Sequence, residues 1–131
     1  MFWYEYLDNP EGSNIYEKKF GLRPSLATEK PAWKTLQVLI KMRPPSSTVI
    51  NASGWRGADE TTFHSKWRRP DGDVGWGLWT TTTDRSYTFA PGGAIIGCFD
   101  QYGESKRYVT NNDGSMTVTI GPEITYVIAS R

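Results

Sequence analysis

This chain of 131 residues has one cysteine, one histidine and no long apolar run. A lone Cys98 excludes an internal disulfide, so cysteine usage gives no support for secretion. Met1-Phe-Trp-Tyr-Glu-Tyr6 lacks the basic and apolar regions of a signal peptide. No segment approaches the roughly 20 apolar residues of a membrane-spanning helix, so no membrane partner is expected. Charge of one sign is also missing: 15 basic residues meet 14 acidic ones, a formal +1. A nucleic-acid partner held by electrostatics is therefore not expected. Lys66, Arg68 and Arg69 form a small basic cluster that reads as the solvated end of a hairpin. His64 has no second histidine or cysteine pair nearby, which argues against a transition-metal site. Asn111-Asn-Asp-Gly114 lacks the ligand count and closing glutamate of a calcium loop and reads as a hairpin turn. The serines show no nucleophile-elbow context. Nothing in these residues calls for a metal or a cofactor.

Aromatic residues are plentiful. Six Trp, seven Tyr and five Phe make up 14% of the chain. Such a content suits a Trp-rich β core or a surface on which rings stack against sugars. Its centre is the stretch 63–79, which reads as a β-hairpin. Phe63, Ser65 and Trp67 alternate up to Pro70-Asp71-Gly72-Asp73, and Val74, Trp76 and Leu78 alternate away from it. Proline presets φ for a turn and glycine accepts φ above zero. Alternation is read as placing Trp67 and Trp76 together in the core, with Trp79 facing the other way alongside Gly75 and Gly77 and His64 outward beside Thr62 and Lys66.

Before residue 44 the pattern is of another kind. An aromatic strand is expected at 2–6, then a loop through Asn9-Pro10 and Glu11-Gly12, then an irregular stretch ending in a short extended piece, Phe20-Gly21-Leu22. A helix is predicted over 30–42, with Pro31 in its first turn and Thr28 as N-cap. Ala32, Trp33, Leu36, Leu39 and Ile40 recur at helical spacing and form its apolar face. Arg43-Pro44-Pro45 stops it. From 48 on, eight short runs alternate between turn signals: 48–53, 61–69, 74–81, 85–89, 94–99, 105–110, 115–120 and 125–129. Met116, Val118 and Ile120 point inward, as do Ile124, Tyr126 and Ile128. The fold class is mainly β: an antiparallel β-sandwich of about eight strands (48–131), preceded by one strand and one α-helix (1–43).

Phe2-Trp-Tyr-Glu-Tyr-Leu-Asp-Asn-Pro10, Lys19-Phe-Gly-Leu22 and Glu29-Lys-Pro-Ala-Trp-Lys-Thr-Leu36 together resemble the last βα unit of a clan-A glycoside hydrolase (β/α)8 barrel. The remainder of the chain, with Trp67-Arg-Arg-Pro-Asp-Gly72 and the final strand Ile124–Ile128, resembles the β-sandwich beside that barrel in families 39, 30 and 51. The resemblance implies a parent enzyme that acts on a polysaccharide or oligosaccharide. It also implies that catalysis belongs to two carboxylates on the fourth and seventh barrel strands, and neither strand is present. Retaining hydrolysis sets such a pair about 5–5.5 Å apart across the sugar. The chain is therefore expected to carry no catalytic residue and to be inactive alone, as an accessory structural domain packed on the barrel's last helix.

Under that resemblance, Trp3 and Glu5, with Tyr4 and Asp8 beside them, would lie at the barrel face where sites are built. Trp33, Leu36 and Ile40 are the expected docking residues between helix and sandwich. A second reading is a carbohydrate-binding module using Trp79, Trp55 or Trp67. A complete glycosidase is the least favoured of the three. An aromatic strand at 2–6 left unpaired would also offer a homodimer edge.

Overall fold

The computed structural model of the chain describes residues 5–7, 21–23, 29–50 and 61–131, the first two segments by backbone alone. Two compact units are present, Met1–Gln37 and Val38–Arg131. Helix α1, Pro31–Met42, crosses the boundary between them.

In the first unit, β1 (Glu5–Leu7) and β2 (Gly21–Arg23) pair in parallel, Glu5 opposite Gly21 and Leu7 opposite Arg23. β2 falls on the short extended piece expected at Phe20-Gly21-Leu22, and its parallel pairing with β1 is an addition to the sequence reading. Between them run 13 residues, 8–20, long enough for the crossover that parallel strands need.

The second unit is a β-sandwich. Its larger sheet has the order β3-β4-β5-β10-β7, with β3 at Thr48–Val49, β4 at Thr62–Arg68, β5 at Val74–Thr80, β7 at Ile95–Phe99 and β10 at Thr125–Ala129. A three-stranded sheet, β6-β9-β8, lies across from it, formed by Arg85–Phe89, Met116–Ile120 and Tyr108–Thr110. Every named ladder in both sheets is antiparallel.

Three connections use one device. In Arg69–Asp73, Asp100–Glu104 and Asn111–Ser115, the fourth residue is a glycine whose N–H donates to the carbonyl three residues back, at 3.0, 3.1 and 3.0 Å. The glycines, Gly72, Gly103 and Gly114, have φ of 93, 83 and 79°, a region that costs a side-chain-bearing residue about 1–2 kcal/mol. Each turn also has an aspartate whose carboxylate accepts backbone N–H bonds: Asp71 from Asp73, Asp100 from Tyr102 and Glu104, and Asp113 from Ser115. The expected tight connection after the helix is a turn closed by Ser47 N–H to the Pro44 carbonyl at 3.1 Å.

The large sheet is covered on both faces. Between the sheets lie Val74, Trp76, Leu78, Cys98, Met116, Val118, Ile120 and Val127, with Tyr87, Phe89 and Ile95 at their margin. On the opposite face, Trp67, Tyr126 and Ile128 pack with Val38 and Met42 of α1. The central strand β10 is therefore buried at every position. Met116, Val118 and Ile120 point inward as expected, but Ile124, Tyr126 and Ile128 face the helix rather than the other sheet.

Trp67 and Trp76 also part company. Trp67 pairs with Gly75, and Trp76 with Lys66. The two indoles thus serve different cores on opposite faces. His64 and Lys66 share the inter-sheet side with Trp76, which corrects the outward placement of His64.

Candidate functional site: the helix-facing side of the large sheet

This face is built from small and flat residues. Gly75 and Gly77 of β5 sit below the Trp67 indole, and Gly97 of β7 sits below the Phe99 ring. A Cβ at Gly75 would collide with the indole, and one at Gly97 with the Phe99 ring. These glycines make a smooth floor on which two rings lie nearly in contact with backbone. The space above Gly75 and Gly77 is therefore filled by Trp67, not open as a sugar platform.

The indole has a second task. Its Nε1–H donates to the carbonyl of Met42 at 3.1 Å, and that oxygen also accepts from Arg69 Nη1 at 3.2 Å. Arg69 Nη1 lies 3.4 Å from the Lys41 carbonyl as well. The last carbonyls of a helix have no intrahelical partners and carry its negative dipole end. Here a buried indole and a guanidinium, two positions apart on one strand end, satisfy them. The Arg69 guanidinium is held in turn by Asp71, with Nε to Oδ2 at 3.3 Å. The bond from Asp73 N–H, then the Arg69 charge, holds the Asp71 carboxyl below its usual range.

Further along the face, Phe63 and Trp79 stack across β4 and β5 with centroids 5.7 Å apart and planes 11° apart. Both are half-buried. The reading that Trp79 shares a face with Gly75 and Gly77 agrees with the register. Of the other expected substrate-binding residues, Trp3 and Trp55 lie outside the described residues, and Glu5 is placed only as backbone in β1. The N-terminal strand expected to offer a dimer edge is described only over Glu5–Leu7, where it pairs with β2.

Among the expected docking residues, Ile40 is 51% exposed, while Val38, Met42 and Leu39 of α1 pack with Trp67, Tyr126 and Ile128. Positions four apart lie on one helix face, so Val38 and Met42 form a pair from which Ile40 is turned away. Trp33 and Leu36 are half-buried and belong to the first unit. Trp67, Arg69 and Met42 escape sequence reasoning as a group. The indole's facing could be found only by fixing the hairpin register.

The inter-sheet side holds a second aromatic group. Trp76 meets Phe89 edge-on at 5.0 Å, donates Nε1–H to the Pro91 carbonyl at 3.2 Å, and lies under the Lys66 ammonium at 4.6 Å. His64 tilts against Trp76 at 5.8 Å, its Nδ1 buried with no hydrogen-bond partner among the described residues. Burial first, then the Lys66 charge, lowers its pKa. Burial also pushes the Cys98 thiol up to about 11. No cluster of three or more metal-ligating side chains, and no helix long and apolar enough to cross a membrane, occurs among the described residues.

No protein-family model and no curated protein sequence matches this chain. Among solved structures, a family 39 glycoside hydrolase from the gut symbiont Bacteroides cellulosilyticus WH2 shares its fold, with a TM-score of 0.70 at 15% identity. The match covers 95% of this chain and 25% of that one, so the chain has the fold of about a quarter of the enzyme it resembles.

Proposed function

We propose that this chain is a non-catalytic structural part of a glycoside hydrolase, in which the β-sandwich grips the end of the helix that closes the catalytic barrel. The observation that carries this reading is the double capture of the Met42 carbonyl by Trp67 and Arg69, backed by the packing of Val38 and Met42 against Tyr126 and Ile128. A sandwich that uses a tryptophan only 2% exposed to hold a helix end is built as a brace. The shared fold with a quarter of a family 39 glycoside hydrolase supports the same reading.

The test begins at the locus, where a reading frame running upstream of Met1 should encode a barrel with two strand-end carboxylates. In that longer protein, Trp67→Ala should shorten the half-life of heat inactivation severalfold and leave KM for aryl-glycosides unchanged. A locus with no such barrel, or an unchanged half-life, overturns the proposal. The isolated chain is expected to hydrolyse no aryl-glycoside.

Carbohydrate binding through Trp79 is the competing reading. The half-buried Phe63–Trp79 stack favours it, while the occupied floor above Gly75 and Gly77 opposes it. Affinity electrophoresis in xylan, β-glucan and mannan separates the two. Retardation abolished by Trp79→Ala would favour binding.

A further inference from the structure

We infer that the groove beside β8, centred on Lys106 and Arg107, binds a saccharide bearing a carboxylate, that is, a uronate-containing oligosaccharide. The groove is about 580 Å³ and is lined by Ser86, Lys106, Arg107, Tyr108, Thr117 and Thr119, among others. It exists because β8 is short. Its three residues, Tyr108–Thr110, pair only with Met116–Val118 of β9 and leave Thr119 and Ile120 without a neighbour on that side.

Lys106 spans this gap. Its ammonium donates to the Thr119 carbonyl and to the Thr125 hydroxyl, each at 2.8 Å, and the Thr125 side chain is fully buried. Two acceptors leave one N–H of the three. Among the described residues, no carboxylate lies within ion-pair distance of Lys106, and Arg107 has no ion-pair or hydrogen-bond partner. Two adjacent cations, one half-buried and fixed, therefore line a concave site with no ion-pair partner among the described residues. A carboxylate is the group they fit best, through charge-assisted bonds.

The rest of the lining selects the body of the ligand. Ser86 and Thr119 bring hydroxyls to the groove beside Val109 and Val118, the Thr117 hydroxyl is engaged by Thr88 and Asn111, and Tyr108 is 39% exposed at the rim. Hydroxyls that donate and accept, beside one phenol ring, suit a polyol. No deep apolar pocket is present among the described residues to anchor a peptide side chain. An adjoining hollow of about 450 Å³ shares Lys106 and Thr119 and adds Asp84 and Glu123. Those carboxylates repel a second acid and accept from sugar hydroxyls, so the fitting ligand carries its carboxylate on one residue and neutral hydroxyls on the next.

This site lies away from the helix-facing aromatics and does not depend on the brace proposal. Affinity electrophoresis of the intact chain in gels containing polygalacturonate, alginate, neutral β-glucan or polyglutamate tests it. With a formal charge of only +1, general attraction to a polyanion is small. Retardation is expected in the polyuronates alone. Lys106→Ala removes two structural bonds, so the decisive variants are the exposed pair Arg107→Ala and Tyr108→Ala. Each should weaken binding of a trigalacturonate at least fivefold in titration calorimetry with the melting temperature unchanged. No retardation in a polyuronate, equal retardation in polyglutamate, or loss with Trp79→Ala while Arg107→Ala binds normally overturns the inference.

Discussion

Single side chains carry most of the helix attachment. Trp67 is 2% exposed, lies on two glycines and donates its N–H to Met42. Removing a buried Trp side chain costs about 3–5 kcal/mol, so Trp67→Ala should lower the melting temperature by well over 10 °C if the unit unfolds as one. Trp67→Phe keeps part of the packing and loses only the bond to a carbonyl that Arg69 still serves. It should cost less, about 1–2 kcal/mol. A Phe variant as unstable as the Ala variant would assign the effect to the hydrogen bond rather than to the ring, against this account. Gly75→Ala attacks the same contact from below. It thrusts a methyl group into the indole and should cost about 1–3 kcal/mol by overpacking, read as a shift in the denaturation midpoint.

At the level of elements, the turns and the alternation within strands are legible, and the matching of faces between strands is not. Asp71-Gly72 and Asp113-Gly114 mark their turns because glycine alone takes a positive φ without strain, and the strands between such marks fall within a few residues of where alternation puts them. Gly114 isolates this effect, since a side chain there would meet nothing within 4 Å. Gly114→Ala is therefore expected to cost about 1 kcal/mol from backbone conformation alone, and Gly114→Asn distinctly less, when chemical denaturation curves are compared. Alternation within a strand says which residues share a face, but not which face of the next strand joins them. That is decided by the number of residues in the turn. The five-residue connection Arg69–Asp73 sets Arg68 opposite Val74 and so puts Trp67 over Gly75. A connection one residue longer or shorter would have put the two indoles on one side, as alternation alone suggests. Similarly, β10 is apolar on both faces, because a helix covers the side a simple sandwich leaves to solvent. The exposure of Ile40 has the same origin. The helical pattern over 31–42 offers several apolar stripes, and only the sandwich's shape selects the one through Val38 and Met42. The Lys106 groove left no trace in the sequence, since it arises from the length mismatch between β8 and β9.

For the whole molecule, buried ionisable groups bound the pH range of full stability. His64 has a folded pKa below its ordinary 6.5, mainly through burial beside Trp76. The unfolded chain therefore binds the proton first on acidification, and stability falls as pH drops below about 6.5 toward the folded value. Cys98 sets the other side. Its thiol is raised from 9.0 to about 11 by burial, so the unfolded chain loses the proton first and stability falls as pH rises from 9 toward 11. Tyr126, raised from 10.0 by burial against the helix, extends the alkaline loss. The aspartates of the turns act lower still. Asp71 and Asp113 have folded pKa values held below 3.8 by their hydrogen bonds, so what they contribute disappears only as pH falls through that range. The melting temperature should thus be level between about pH 6.5 and 9, with separate declines on each side. His64→Gln should flatten the first acidic step and leave the decline below about pH 4 in place. Cys98→Val should move the start of the alkaline decline up to the range of Tyr126. If the acidic step persists in full with Gln at position 64, the buried imidazole is not its source, and the cation that faces Trp76 from Lys66 becomes the group to remove next.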